Sequence, residues 1–280
     1  MSKTHDPGTA THSAGALLAA SGLPPAEARS LLAHASGWRR EVLVAYPERT
    51  LDDAAAQHFL ALAQRRSAGE PMAYLLGVRE FLGRDFEVGP AVLVPRPETE
   101  LLVELGLGWI AGNPAPRVVD LGTGSGCIAV SLALARPDAH LTGTDLSADA
   151  LAVASRNAAR LGAMVRWRRG PWYEALEPGE RFNLILSNPP YVAAGDPHLA
   201  ALRFEPQDAL TDGADGLDCL RVIVAGARQR LVPGGWIALE HGYDQAAAVR
   251  TLLGGAGLAQ PTTWRDLAGH ERVSAARAPD

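Results

Sequence analysis

Cysteine is nearly absent from this 280-residue chain, which has only Cys127 and Cys219. The two lie far apart and fit no metal-ligand spacing. The simplest reading is a reduced, cytoplasmic protein without a disulfide framework. Long apolar runs are missing as well. None approaches the roughly 20 residues that span a bilayer. Met1 to Ala10 is polar, reads as a frayed start, and lacks the apolar core of a signal peptide. No membrane association is expected. Basic stretches are short, with Arg166, Arg168 and Arg169 the densest group in a chain of net charge −5. A phosphate-binding face usually needs more, which counts against direct nucleic-acid binding. No metal is expected, and neither internal repeats nor low-complexity tracts occur. What the chain has in quantity is apolar residues, 47%. That is enough core for one large domain, or a large one and a small one.

From Ser13 to about Leu76 the chain is rich in Ala and Leu at helical spacing. Ala28, Leu31, Leu32 and Ala35 make one face, entered through Pro24-Pro25 and closed by Gly37. Leu51, Ala55, Phe59 and Leu62 make another, with Thr50 as its predicted N-cap. The spacing predicts a bundle of four or five short helices over residues 1–78. It carries no cluster of chemical groups, and its expected role is docking a partner. Phe81, Phe86, Val88, Val92 and Val94, set among Gly83, Gly89 and Pro90, predict a β-hairpin linker over residues 79–96. Pro95-Arg96-Pro97-Glu98-Thr99-Glu100 reads as the start of a helix running to Gly112, and capping is enough to account for it.

From Arg117 onward strands and helices alternate. Strands are expected to end at Leu121, Asp145, Arg168, Ser187 and Glu240. Two more, Thr262 to Arg265 and Arg272 to Ala276, have a short connection and should be antiparallel. The pattern predicts an α/β domain over residues 97–280, a seven-stranded, mostly parallel sheet with helices on both faces.

Two stretches of this domain carry chemistry. Asp120-Leu-Gly122-Thr123-Gly124-Ser125-Gly126 sits at a strand-to-helix turn, where glycines let backbone approach a ligand. Asp145 ends the next strand, where a carboxylate can accept from ribose hydroxyls. A dinucleotide and S-adenosylmethionine both carry that ribose. Asp120 is expected to place negative charge near the ligand's polar end, which disfavours a pyrophosphate and favours an amino group and a sulfonium. The second stretch is Asn188-Pro189-Pro190-Tyr191. Two prolines cannot continue the strand before it, so the chain leaves the sheet at the edge where ligands bind. Asn188 offers a carbonyl oxygen, Pro189 a carbonyl without a competing donor, and Tyr191 a flat ring. Such a pocket suits a planar NH₂ group on an sp² carbon. A hydride-transfer reading leaves this stretch without a role.

Together, Asp120 to Gly126, Asp145 and Asn188-Pro-Pro-Tyr191 resemble class I S-adenosylmethionine-dependent methyltransferases of the amino-group type, with their Rossmann-like sheet. The tetrapeptide is shared with adenine-N6 and guanine methylases. The helical region, the hairpin, Pro95 to Glu100, Asp196-Pro-His198, Arg203-Phe-Glu-Pro206 and Glu240-His-Gly242 extend the resemblance to the release factor glutamine N5-methyltransferases, the HemK/PrmC family, over about Leu17 to Arg277. The resemblance implies methyl transfer from S-adenosylmethionine, with S-adenosylhomocysteine as product. The acceptor it implies is the glutamine side-chain nitrogen in the Gly-Gly-Gln loop of class 1 peptide-chain release factors. A nucleic-acid amino methyltransferase of the adenine-N6 type is the alternative. Carried onto this chain, Gly122, Thr123, Gly124, Ser125 and Gly126 bind the cofactor, Asp145 its ribose, and Trp172 lies beside the adenine. Asn188 touches cofactor and substrate amide. Pro189, Pro190 and Tyr191 complete the glutamine pocket, and Asn188, Pro189 and Tyr191 form the catalytic set. Pro171 stands where the family often has Asp, so a backbone group or another acid must serve the adenine amino group. Arg203, Glu205 and His241 are read as loop packing and capping. A monomer is expected.

Overall fold

A computed structural model describes residues 12–280. The frayed start expected at Met1 to Ala10 lies outside the described residues. The chain divides into two compact units, one ending at Gly77 and the other spanning Val78–Asp280.

The first unit holds α1 (Ala14–Ala20), α2 (Pro25–Ser36), α3 (Arg40–Ala45), α4 (Asp53–Ser67) and α5 (Met72–Leu76). Pro25 opens α2 with its φ already helical, and Gly37, left-handed at φ 68°, closes it. Leu17, Leu31, Leu32, Leu43 and Phe59 form the core. Arg66 on α4 makes two hydrogen bonds of 2.7 and 2.8 Å to Glu27 on α2. The predicted N-cap of α4 is corrected. Asp52, not Thr50, accepts from the Ala55 N–H, at 2.7 Å. Thr50 instead bridges to Ser13 as extended chain, and Leu51 enters the core from outside the helix.

The second unit opens with an antiparallel hairpin, β1 (Val78–Phe81) and β2 (Arg84–Glu87). It is shorter than the predicted linker over residues 79–96. Past Glu87 no strand forms, because Pro90, Pro95 and Pro97 cannot donate to a ladder. A 3₁₀ turn at Pro97–Thr99 leads into α6 (Glu100–Ile110), which stops two residues short of Gly112. Then follow β3 (Arg117–Leu121), α7 (Cys127–Ala135), β4 (His140–Asp145), α8 (Ala148–Leu161), β5 (Val165–Arg169), β6 (Phe182–Ser187), α9 (Asp218–Arg230), β7 (Leu231–Glu240), α10 (Ala246–Gly255), β8 (Ala259–Arg265) and β9 (Glu271–Arg277).

The seven strands from β3 onward form one sheet in the order β5-β4-β3-β6-β7-β9-β8. All pairs are parallel except those of β9 with β7 and β8. The central strands are buried on both faces, as parallel strands are. Val118, Leu184 and Leu186 pack with Leu102 and Val103 of α6 and Val130 and Leu132 of α7. Val119, Leu121 and Ile185 pack on the other side with Leu220 and Val224 of α9 and Val249 of α10. From β3 the chain builds outward through β4 and β5, then returns to place β6 on β3's other side. The loops leaving the carboxyl ends of β3 and β6 therefore diverge, and a crevice opens between them.

Candidate active site

A cavity of about 520 Å³ occupies that crevice, within the usual range for small-molecule sites. One end is the turn after β3. The Gly122 and Thr123 N–H groups both donate to the Thr144 carbonyl, at 2.9 and 2.8 Å, clamping the turn to the end of β4. Gly122, Gly124 and Gly126 all take positive φ, at 72°, 55° and 80°. Only glycine holds such a run without strain. At Gly122 there is a second constraint, since a Cβ would stand 3.2 Å from the Trp172 ring. Gly122 to Ser125 line the cavity, while Gly126 begins α7 behind them.

Asp145 lines the cavity beside this turn. Its Oδ2 accepts from the Gly124 N–H and its Oδ1 from the Ser147 N–H, both at 2.9 Å. Burial raises its pKa, and those backbone donors pull the other way. The carboxylate is held in one orientation and keeps spare lone pairs for further donors. Trp172 follows β5 and lines the cavity. Its φ of 45° is rare for an aromatic residue. Pro171, beside it, contributes no side-chain acceptor, but a second carboxylate, Asp208, reaches the cavity wall.

Asp120 does not face the ligand space, which corrects the expectation. Along β3 its side chain alternates with Val119 and Leu121, so it points into the sheet's α7 side and is fully buried. Its Oδ2 accepts from the Thr123 hydroxyl at 2.5 Å, and Oδ1 has no partner. Burial pushes its pKa up to about 7, against the pull of Thr123.

The cavity's other end is the tetrapeptide after β6. Asn188 and Pro190 line it, whereas Pro189 is buried and Tyr191 half-buried behind the wall. Asn188 Nδ2 donates to Thr99 Oγ1 at 3.2 Å, and no hydrogen bond among the described residues occupies its Oδ1. The Tyr191 hydroxyl donates to Glu240 Oε1 at 3.2 Å, and its carbonyl accepts from Gln245 Nε2 at 2.9 Å. Gly122, Thr123, Gly124, Ser125, Asp145, Trp172, Asn188 and Pro190 thus share one cavity.

Several supporting contacts went unseen in the sequence. Thr99 lines the cavity, yet its hydroxyl makes no capping bond. Glu205 is nearly fully buried. Its Oε1 accepts from Arg96 Nη2 at 2.5 Å and its Oε2 from the Val94 N–H at 3.0 Å, pinning Arg203-Phe-Glu-Pro206 to the cavity wall. Asn157 on α8 donates to the Ser125 carbonyl at 3.0 Å and exchanges two bonds with Glu87, tying the glycine turn to the hairpin. His241 packs as expected. Its Nδ1–H donates to the Gly242 carbonyl and its Nε2 accepts from Ser274, both at 2.8 Å, and burial lowers its pKa. Among the described residues, no group of three or more His, Cys, Asp or Glu is arranged to hold a metal ion.

Residues 9–77 match the family described as PrmC N-terminal domain, and residues 99–204 the family described as Methyltransferase small domain. The chain is 54% identical to the release factor glutamine methyltransferase of Burkholderia pseudomallei (strain K96243) over 284 residues, covering 99% of each. It is 57% identical over 260 residues to that of Bordetella pertussis (strain Tohama I), covering 92% of this chain and 96% of the relative. Among solved structures, a methyltransferase from Pyrococcus furiosus shares the fold with a TM-score of 0.56 at 18% identity, over 78% of this chain and 100% of that one.

Proposed function

This chain belongs to the release factor glutamine methyltransferases, and from that premise we propose that it methylates the N5 side-chain nitrogen of the Gly-Gly-Gln glutamine in class 1 peptide-chain release factors. The methyl donor is S-adenosylmethionine, and the enzyme acts as a cytoplasmic monomer without direct nucleic-acid or membrane contact. One observation carries the reading. Asn188 Oδ1, an acceptor that no hydrogen bond among the described residues occupies, lies just past the end of β6 in the same cavity as the glycine turn and Asp145.

The residues present fit the cofactor. Gly124 leaves open space where a side chain would stand. Asp145 keeps lone pairs for the ribose hydroxyls. Trp172 offers a ring to the adenine, and Asp208 an acid in place of the one Pro171 lacks. When bound, S-adenosylmethionine supplies a methyl group on an already activated sulfonium.

The harder problem is the acceptor, because an amide nitrogen delocalises its lone pair into its carbonyl. No side chain is basic enough to remove its proton first. Asn188 Oδ1 and the Pro189 carbonyl instead accept its two N–H bonds, which raises electron density on nitrogen and aims the lone pair. Positioning of this kind supplies several kcal/mol, up to ~7–11 in the best intramolecular cases. Pro190 shapes the pocket and the Tyr191 ring backs it. The helical unit ending at Gly77 docks the release factor, and the hairpin links it to the domain that does the chemistry.

Radiolabelled methyl transfer to purified release factor, with RNA and DNA as parallel acceptors, tests the proposal. Mass spectrometry should find one methyl group on the Gly-Gly-Gln glutamine. Label on nucleic acid alone would shift the assignment to an amino methyltransferase of bases.

A further inference from the structure

Glu240 ends β7, next to the strand that carries Asn188. Ser187 and Leu239 are paired across β6 and β7, so Asn188 and Glu240 leave the sheet side by side. The Glu240 side chain is fully buried, and the reaction described above gives it no role. Oε1 accepts from the Tyr191 hydroxyl, and Oε2 has no hydrogen-bond partner. A buried carboxylate this poorly satisfied is costly and calls for an explanation.

Its neighbours supply one. The Thr99 hydroxyl lies beside the Glu240 carboxylate and helps to draw its pKa down. The same Thr99 Oγ1 accepts from Asn188 Nδ2. A hydroxyl has one proton to give and two lone pairs. An ionised carboxylate can only accept, so Thr99 turns its proton toward Glu240 and its lone pairs toward Asn188. The amide must then present NH₂ to Thr99, which leaves Oδ1 for the cavity. We propose that Glu240, acting through Thr99, is the positioning residue that sets which end of the Asn188 amide meets the substrate. The inference rests on the proposed function and deepens it.

The charges around Glu240 make this setting sensitive to pH. Burial pushes its pKa up to about 7. The Thr99 hydroxyl, the Arg272 guanidinium and the Tyr191 hydroxyl pull it down, and Glu98 pushes it up. The buried Cys127 thiol also lies within its field. Once protonated, Glu240 has an O–H of its own to donate to Thr99. The Thr99 proton can then turn to Asn188, and the amide can flip to offer NH₂, which accepts nothing. Correct orientation is therefore gained as pH rises through neutrality and lost as it falls.

The test is single-turnover methyl transfer at saturating S-adenosylmethionine across pH, on the full chain and three variants. Glu240→Gln keeps the shape but adds a donor, Thr99→Val removes the hydroxyl, and Thr99→Ser restores it. The parent rate should rise with pH through about 7. Glu240→Gln and Thr99→Val should lose about 10- to 100-fold in rate, the scale of a misplaced reacting group. They should also lose the rise with pH, yet bind S-adenosylmethionine like the parent. Thr99→Ser should keep both rate and profile. A second readout does not depend on turnover. The Asn188 side-chain ¹⁵N amide signal should titrate near neutrality in the parent and stay flat in Glu240→Gln. Folded Glu240→Gln and Thr99→Val enzymes with the parent's rate and pH profile would overturn the inference, as would an Asn188 signal indifferent to pH. If the parent transfers no methyl group to release factor, the functional reading falls, and the amide signal still decides the relay.

Discussion

The two ends of the cavity are built from different materials. At the glycine-turn end the donors are backbone N–H groups, Gly122 and Thr123 on the Thr144 carbonyl and Gly124 and Ser147 on the Asp145 carboxylate. At the Asn188 end they run from side chain to side chain, across the loop after β6, the start of α6 and the end of β7. Each end has a fully buried carboxylate, Asp120 or Glu240, pushed up to about 7 with one oxygen unpartnered. Asp120 takes its hydroxyl partner from its own turn, and the chain of bonds stops there. Glu240 lies beside a hydroxyl from another element, Thr99, whose oxygen accepts from the Asn188 amide at the cavity. A turn locked by backbone donors holds its one carboxylate ready for a ligand, whereas a side-chain relay fixes orientation and can be reset. The first end should therefore govern affinity and the second should govern rate.

Asn188→Ala is the largest test of that division. Single-turnover transfer should fall by ~10²–10³, the cost of removing one preorganised polar group from an active site. S-adenosylmethionine affinity, measured by calorimetry, should change little. A chemical step as fast as the parent's would reduce the tetrapeptide to a rigid turn.

Asp145→Ala is the reciprocal experiment. It should weaken S-adenosylmethionine binding by ~1.5–3 kcal/mol, the range for hydrogen bonds to a charged group. The rate at saturating cofactor should stay near the parent's. A folded variant with unchanged affinity would remove Asp145 from the cofactor end.

The motifs at both ends were far more legible in the sequence than the contacts that support them, for physical reasons. Glycine turns, strand-ending acids and Pro-Pro breaks are local, and alternating strands and helices bring them to one edge. Even the bounds of β3 follow from the residues alone. The relay joins residues remote in sequence, with Asn188 and Thr99 lying 89 positions apart. No periodicity signals such a contact. Thr99 was also masked by an adequate local explanation, helix capping, that its hydroxyl does not perform. Asn157 did leave a signal, a polar residue among Ala154, Ala158 and Leu161 on the buried face of α8. Asp120 misled because its place before the glycines suggested a direction that strand alternation reverses. Thr50 and Asp52 are both good caps two residues apart, and spacing could not choose between them.

Asp120→Asn should have the smallest effect on methyl transfer, and it separates the two buried carboxylates. Asn keeps an oxygen for the Thr123 hydroxyl but cannot ionise. In the parent, folding raises the Asp120 pKa from 3.8 to about 7. The folded state thus prefers the neutral acid. The stability this gives is complete below the unfolded pKa and is lost as pH rises through the folded one. The variant has nothing to lose across that window. Its stability relative to the parent should climb between about pH 4 and 7 and then level off. The climb should be at most about 4 kcal/mol, at about 1.4 kcal/mol for each of the roughly three pH units between the unfolded and folded pKa values. Urea unfolding at steps from acid to neutral pH would measure it. The pH profile of methyl transfer should keep its inflection, because no hydrogen bond among the described residues leads from Asp120 toward Asn188. If instead the inflection disappeared in Asp120→Asn and survived in Glu240→Gln, the two ends would have to exchange roles. The carboxylate that sets the rate would then sit beneath the glycine turn.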